Sequence, residues 1–387
     1  MPLEAGHFAK LKAHYTDRAL VMKQARAQGS KIVARAGSAV PAELILAAGF
    51  MPMLVAADLS RATPTAAKYL DDIVPRETHA LFEAAARGDF DEVELLVLSR
   101  AYDKLYFYLK EIYRQGLLPG LPPLHMFDLM QNRRAALARF NADRLHDLRV
   151  RLERAAGAPI SDAALREAIV LYNRARAAQR TLLDLRWQGN IDGEAAMQAI
   201  GAGYFMHPAD YAEALDGYLA QLHAASTGAA RPRLLLATAE PLSHTTLHAA
   251  VERAGGRIVA EDDWWGARAP GGDVSLDLPP MEALLAKHCF DTATAESHPV
   301  EDRLAWFEEA AQRSEVDGVI FYLPPSDLHY GWDYPRLRAR LRAQAKPFLL
   351  IREDASTSSG RTHFAEEAAS FIGQIHSLRV DKAGAVP

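Results

Sequence analysis

The residues able to do chemistry stand in groups, each directly behind a short apolar run. Ser99, Arg100, Tyr102 and Asp103 follow the run 94–98, and Glu240, Ser243 and His244 follow 233–237. Behind 257–260 come Glu261, Asp262, Asp263, Trp264 and Trp265. Ser326, Asp327 and His329 follow the run ending at Tyr322, and Arg352, Glu353 and Asp354 the last one. Guanidinium, carboxylate, hydroxyl and imidazole groups flanked by aromatic rings suit a crevice that grips a polar organic substrate. His79, His125, His244 and His329 are of the type whose ordinary pKa permits proton transfer near neutrality. The same residue types also make turns and helix caps, which is their bland reading at a strand end.

Several sharper chemistries are excluded by spacing. Ala36-Gly37-Ser38 is no dinucleotide fingerprint, and Gly255-Gly256 reads as the end of a helix. No G-x-x-x-x-G-K-[ST], H-E-x-x-H or G-x-S-x-G occurs. Ser243 and His244 are adjacent and so point apart, which makes a nucleophile–base pair a poor reading. Arg133, Arg134, Arg139, Arg144, Arg149, Arg151 and Arg154 are interleaved with Asp143, Asp147 and Glu153 and read as a solvated helix face; a polyanion such as the phosphates of coenzyme A is the alternative. Cys289 reads as a small packed residue, and the strings Tyr102/Tyr106/Phe107/Tyr108 and Trp264/Trp265 as packing.

Positioning those groups calls for an α/β fold. Runs at 31–36, 53–57, 94–98 and 124–127 read as buried strands, with helices at 41–49 and 104–115 between them. A second set follows at 233–237, 257–260, 318–322 and 347–351, with helices at 244–254 and 364–378. Between the sets, 131–224 is helical: Leu145, Leu148, Leu152 and Ala155 recur at helical spacing, Gly157 stops the run, and Ser161 can cap the next helix. The expected organisation is an N-terminal α/β domain over 1–130, a helical region over 131–225 and a C-terminal α/β domain over 226–387. Two doubly wound Rossmann-like parallel-sheet domains would then flank a helical insert, with ligands beyond the carboxyl ends of their strands.

Composition narrows the function classes. The 387 residues are 49% hydrophobic and 24% charged, with a formal charge of −5, which offers no general attraction for nucleic acid or an anionic membrane. The polar start lacks the apolar core of a signal peptide, and no apolar stretch is long enough to span a bilayer, so a cytoplasmic protein is expected. One cysteine excludes an internal disulfide framework and a metal cluster held by this chain's thiolates alone.

Val40-Pro41-Ala42-Glu43-Leu44-Ile45, followed by Ala47-Ala48-Gly49 and Pro52, resembles the opening of the 2-hydroxyacyl-CoA dehydratase and benzoyl-CoA reductase family. The likeness continues along nearly the whole chain. Phe127-Asp128 with Gln131-Asn132 is similar to a segment of the benzoyl-CoA reductase branch, nearest to its C-type subunit. Ile160-Ser161 through Asn173-Arg174-Ala175-Arg176 resembles the family's "ISDxxLxxAIxxYNxxR" helix. Gly256 to Val259, Asp262-Asp263 and Gly266-Ala267-Arg268 resemble its "GxxVVxDDxxxGxR" stretch, and 317–320 and 348–354 its last two strands.

The resemblance implies two Rossmann-like domains, pairing with a paralogous subunit, and a [4Fe–4S] cluster held through three cysteines. It also implies an ATP-dependent iron–sulfur activator protein and an acyl-CoA substrate that is dehydrated or reduced, in anaerobic metabolism. This sequence departs from the pattern at the ligands: the expected cysteines fall at Asp72, Tyr102 and Ser326. Hard oxygen donors replace thiolates poorly. The chain is therefore expected to bind no metal or cluster, as the cluster-free subunit of a heteromer whose cysteine-bearing paralog carries the redox chemistry. Arg100, Tyr102, Asp103, Glu240, Ser243, Ser326, His329 and Arg352 would line its substrate pocket. The alternative is a stand-alone cluster-free protein that binds acyl-CoA or another ligand without redox chemistry.

Overall fold

The computed structural model describes residues 6–71, 74–131, 134–223, 231–238, 244–291, 299–325, 327, 330–355 and 357–384. Two helices, α1 (His7–Thr16) and α2 (Arg18–Ala27), precede the first α/β unit. That unit runs β1 (Ile32–Ala36), α3 (Ala42–Ala47), β2 (Met51–Leu54), α4 (Arg76–Ala86), β3 (Leu95–Ser99), α5 (Asp103–Arg114) and β4 (Leu124–Phe127). The middle is helical: α6 (Ala135–Ala156), α7 (Asp162–Trp187), α8 (Gly193–Ala202) and α9 (Pro208–His223). The second unit runs β5 (Arg233–Ala237), α10 (Thr246–Arg253), β6 (Arg257–Asp262), α11 (Pro280–Ala286), α12 (Val300–Gln312), β7 (Gly318–Tyr322), α13 (Tyr330–Ala343), β8 (Phe348–Ile351) and α14 (Ser358–Gly384).

The fold is α/β, with two four-stranded, wholly parallel sheets ordered β2-β1-β3-β4 and β6-β5-β7-β8. Parallel strands covered on both faces read as continuous apolar runs, and the burial of β1, β3, β6 and β7 is complete. In the first sheet Ile32, Ala34 and Ala36 pack toward Phe82, Leu105 and Leu109 of α4 and α5. Val33, Leu95 and Val97 pack on the other face, toward Leu44 of α3 and Leu145 and Leu148 of α6. In the second sheet the Phe321 ring meets Phe307 of α12 and Tyr334 of α13, while its neighbour Tyr322 meets Phe364 of α14. Successive strand residues face opposite ways, so this sheet too carries helices on both faces.

The helical layer is closed by the start of the chain. Leu11 and Tyr15 of α1 are buried in one core with Met197 and Ile200 of α8 and Leu215 of α9, and Phe8 stacks on Tyr218 at 4.7 Å. Gly157 ends α6 in the left-handed conformation, φ 72°, and the Ser161 hydroxyl caps α7 by accepting from the Ala164 N–H at 3.1 Å. On α6, Arg144 pairs with Asp147 and Arg149 with Glu153, the local pairs of a solvated face. Among the described residues, no helix is long and apolar enough to cross a membrane.

Candidate functional site

Strand order reverses between β1 and β3, and that is where an open parallel sheet leaves a crevice beyond its strand ends. Gly37 makes the junction possible. Its φ is +93°, and a Cβ there would lie 2.1 Å from the Ser99 hydroxyl and 3.3 Å from the Tyr102 ring. Just before it, Arg35 is the one charged residue of a buried strand and is itself only 8% exposed. Its Nη1 donates to the Gly37 carbonyl at 3.2 Å, its guanidinium lies 5.7 Å from the Tyr204 ring centre, and its Nε has no hydrogen-bond partner.

Beside Arg35 a cavity of about 100 Å³ opens between β1, α3, α7, the end of α8, the segment after β6 and a π-helical turn at Lys287–Asp291. Glu43, in the first turn of α3, is 1% exposed and bonds Arg176 of α7. His288 Nε2 stands 3.2 Å from its other oxygen. Burial pushes the Glu43 carboxyl up, but Arg176 and His288 outweigh it and hold it well below the usual carboxylate range. Asn173, one turn earlier on α7, accepts from Arg176 at 2.8 Å and clamps Val274 through both its N–H and its carbonyl. The π-helical turn divides its side chains. Lys287 and His288 line the cavity, and burial, then Arg176, lowers the Lys287 ammonium to about 8. Cys289 turns into the core, where Asn141 Nδ2 donates to its sulfur at 3.3 Å and burial pushes its thiol up to about 12.

A second Glu–Arg–His network lies under the other sheet. Arg186 of α7 donates to Glu261 at 2.6 Å and twice to the Ile258 carbonyl, at 3.1 and 3.0 Å. His248 Nε2 is 2.9 Å from the remaining Glu261 oxygen, and all three side chains are fully buried. Arg186, then His248, outweighs the upward push of burial and brings Glu261 to about 2. Asp262 is paired with Arg268 at 2.6 Å and accepts from the Tyr330 hydroxyl. These carboxylates brace the sheet, although their position behind an apolar run marks them for a crevice.

Of the residues singled out in the sequence, Arg100 is half exposed and pairs with Asp128 at 2.8 Å. Tyr102 is buried and donates to Glu77 at 3.1 Å; burial, then Glu77, raises its phenol well above the ordinary value. Asp103 opens α5 and accepts from the Lys104 N–H, and Arg352 is exposed beyond β8. None of these four lines the cavity beside Arg35. Asp72, Glu240, Ser243, Ser326 and His329 lie outside the described residues. Burial lowers both His125 and His244 to about 4, so each is neutral at pH 7 and carries no ring proton to spare as an imidazolium. Trp265 is core, whereas Trp264 lines the cavity. Arg76, the first residue of α4, pairs with Asp354, beyond the end of β8, at 3.0 Å and so links the two α/β units.

The motif stretches are thus joined in space: the opening around Glu43, the helix carrying Asn173 and Arg176, and the segment ending at Arg268 enclose one cavity. Residues 38–374 match the model of a family described as 2-hydroxyglutaryl-CoA dehydratase, D-component. The chain belongs to that family. It is 22% identical over 355 residues to the (R)-2-hydroxyglutaryl-CoA dehydratase subunit beta of Acidaminococcus fermentans, covering 89% of this chain and 92% of that protein. Against the (R)-phenyllactyl-CoA dehydratase beta subunit of Clostridium sporogenes it is 20% identical over 344 residues, 86% of this chain and 89% of that one. Membership in the dehydratase family agrees with the resemblance read from the motifs.

Arg35, Lys287 and His288 are the lining residues that the strand-end search passes over. Arg35 does carry a signal, as a lone charge inside an otherwise apolar parallel-strand run. Lys287 and His288 carry none, because only the tertiary fold brings them against Glu43.

Proposed function

We propose that this chain is the cluster-free subunit of a heteromeric 2-hydroxyacyl-CoA dehydratase-type enzyme. It shapes the acyl-CoA site while a cysteine-bearing paralog holds the [4Fe–4S] cluster, which an ATP-dependent activator protein recharges. Both relatives are named as beta subunits of acyl-CoA dehydratases, which favours dehydration over ring reduction. The segment similar to the reductase branch has packing duties instead: Phe127 is core, Asp128 pairs with Arg100, and Gln131 donates to the His288 carbonyl.

The observation that carries the cluster-free reading is the donor chemistry. Behind β3, where the family resemblance puts a thiolate, stands the Tyr102 phenol, buried and bonded to Glu77. The chain's one thiol, Cys289, is bonded by Asn141 in the core formed with Leu44 and Phe127, and its raised pKa disfavours the thiolate a cluster needs. The described residues of this chain therefore do not fit an iron–sulfur cluster. What they supply is the cavity beside Arg35, lined from β1, α3 and α7, with the Arg100–Asp128 pair outside its lining.

Purification of the tagged protein from its own host without oxygen, with native mass, subunit identity and iron content, tests this. A cysteine-bearing paralog of similar size is expected to co-purify, with the iron following that subunit after separation. A monomer or homo-oligomer would overturn the subunit reading, and iron retained by this chain alone would overturn the cluster-free one.

A further inference from the structure

The cavity beside Arg35 has a charge imbalance that the proposed subunit role does not use. Of the guanidiniums lining it, Arg176 is answered by Glu43 and Asn173, and Arg268 by Asp262. Arg35 has only the Gly37 carbonyl and the face of Tyr204, and among the described residues no carboxylate pairs with it. A guanidinium more than nine-tenths buried, with its Nε–H facing no acceptor, is costly to hold unless an anion completes it.

The geometry points to the identity of that anion. The planar guanidinium edge matches a carboxylate, whose two oxygens accept parallel hydrogen bonds. The cavity's volume of about 100 Å³ is well under that of a drug-sized pocket and admits only a few heavy atoms. Its lining sets Val40, Ala42, Ala175 and the ring of Trp264 beside the charged Lys287, Arg268 and Asp291, so it suits a short acid with or without a second charged group. We propose that this cavity binds the carboxylate of a short organic acid, gripped by Arg35 between the Tyr204 and Trp264 rings. The proposal concerns a ligand held within this chain and stands apart from the subunit reading, since it requires neither a paralog nor a cluster.

The test is calorimetric titration of the full-length protein, as isolated, with acetate and with succinate at matched chloride. Melting temperature and Trp emission are followed in parallel. Saturable binding of a carboxylate is expected, with a rise in melting temperature that grows with its concentration. Arg35→Gln should weaken it at least tenfold, and Arg35→Lys should fall between, keeping the charge but losing the fork. Absence of saturable heat with both acids in the wild type overturns the proposal, whether or not either variant folds. Unchanged affinity in a folded Arg35→Gln also overturns it. So does inorganic phosphate binding as tightly as the acids, because the site would then read charge without reading a carboxylate.

Discussion

One helix carries two arginines into two networks built from the same three side-chain types, and the networks differ in how completely they are closed. Arg186, Glu261 and His248 are fully buried, and the Ile258 carbonyl takes up the remaining guanidinium bonds. Arg176, Glu43 and His288 use the same chemistry under the first sheet but form one wall of a cavity, beside an arginine that has no such partner. The 26 residues of α7 span about 39 Å, long enough to brace both sheets. The lesson is that a buried charge triad is a brace when its guanidinium and carboxylate are both answered, as Arg186 and Glu261 are, and part of a binding wall when the arginine next to it is not.

Removing the closed network should cost most. Arg186→Met leaves Glu261 charged and buried with only His248, so a loss of about 3–5 kcal/mol is expected in urea unfolding. A loss as small as that of a surface substitution would break the distinction. Acid should expose the same network. Glu261 titrates at about 2 when folded against an ordinary 4.5. A depressed carboxyl stabilises fully above the unfolded value and loses that contribution as pH falls through the folded one. The stability advantage of wild type over Glu261→Gln should therefore shrink, by up to about 3 kcal/mol, between pH 4.5 and 2, measured by denaturant titration at each pH.

The open network should yield less. Arg176→Met leaves Glu43 its bond from His288 and a cavity wide enough for water, so about 1–3 kcal/mol is expected by the same measurement. Arg35→Gln should change stability least, within about 1 kcal/mol, because removing a buried charge that no described carboxylate answers offsets the lost bond to the Gly37 carbonyl. A loss from Arg35→Gln equal to that from Arg186→Met would mean that Arg35 is a brace as well.

The strands were legible because parallel, doubly covered strands must be apolar almost throughout. The runs 124–127, 233–237 and 318–322 coincide with β4, β5 and β7. The end of β6 was harder. It extends past Ala260 through Glu261 and Asp262, charges that are tolerable inside a sheet only because Arg186 and Arg268 reach them from elsewhere. α14 likewise begins at Ser358, ahead of the apolar stripe that starts at Phe364, because a helix's first turn need not be apolar. The cavity was the least legible part. Glu43 meets Arg176 across 133 residues and His288 across 245, separations that no local spacing rule spans. Local order did mark the strand ends, and it placed Arg100 and Tyr102 at the mouth of the first sheet without showing that their partners are Asp128 and Glu77.

The packing of α1 has a consequence for how the protein is made. Phe8, Leu11 and Tyr15 find their seats on α8 and α9, about 180 residues further along the chain. A ribosome adding about 5–20 residues per second leaves this first helix without its binding surface for roughly 10–35 s. These apolar side chains thus wait for about half of this chain before they are covered, and during synthesis they are a natural hold for a chaperone.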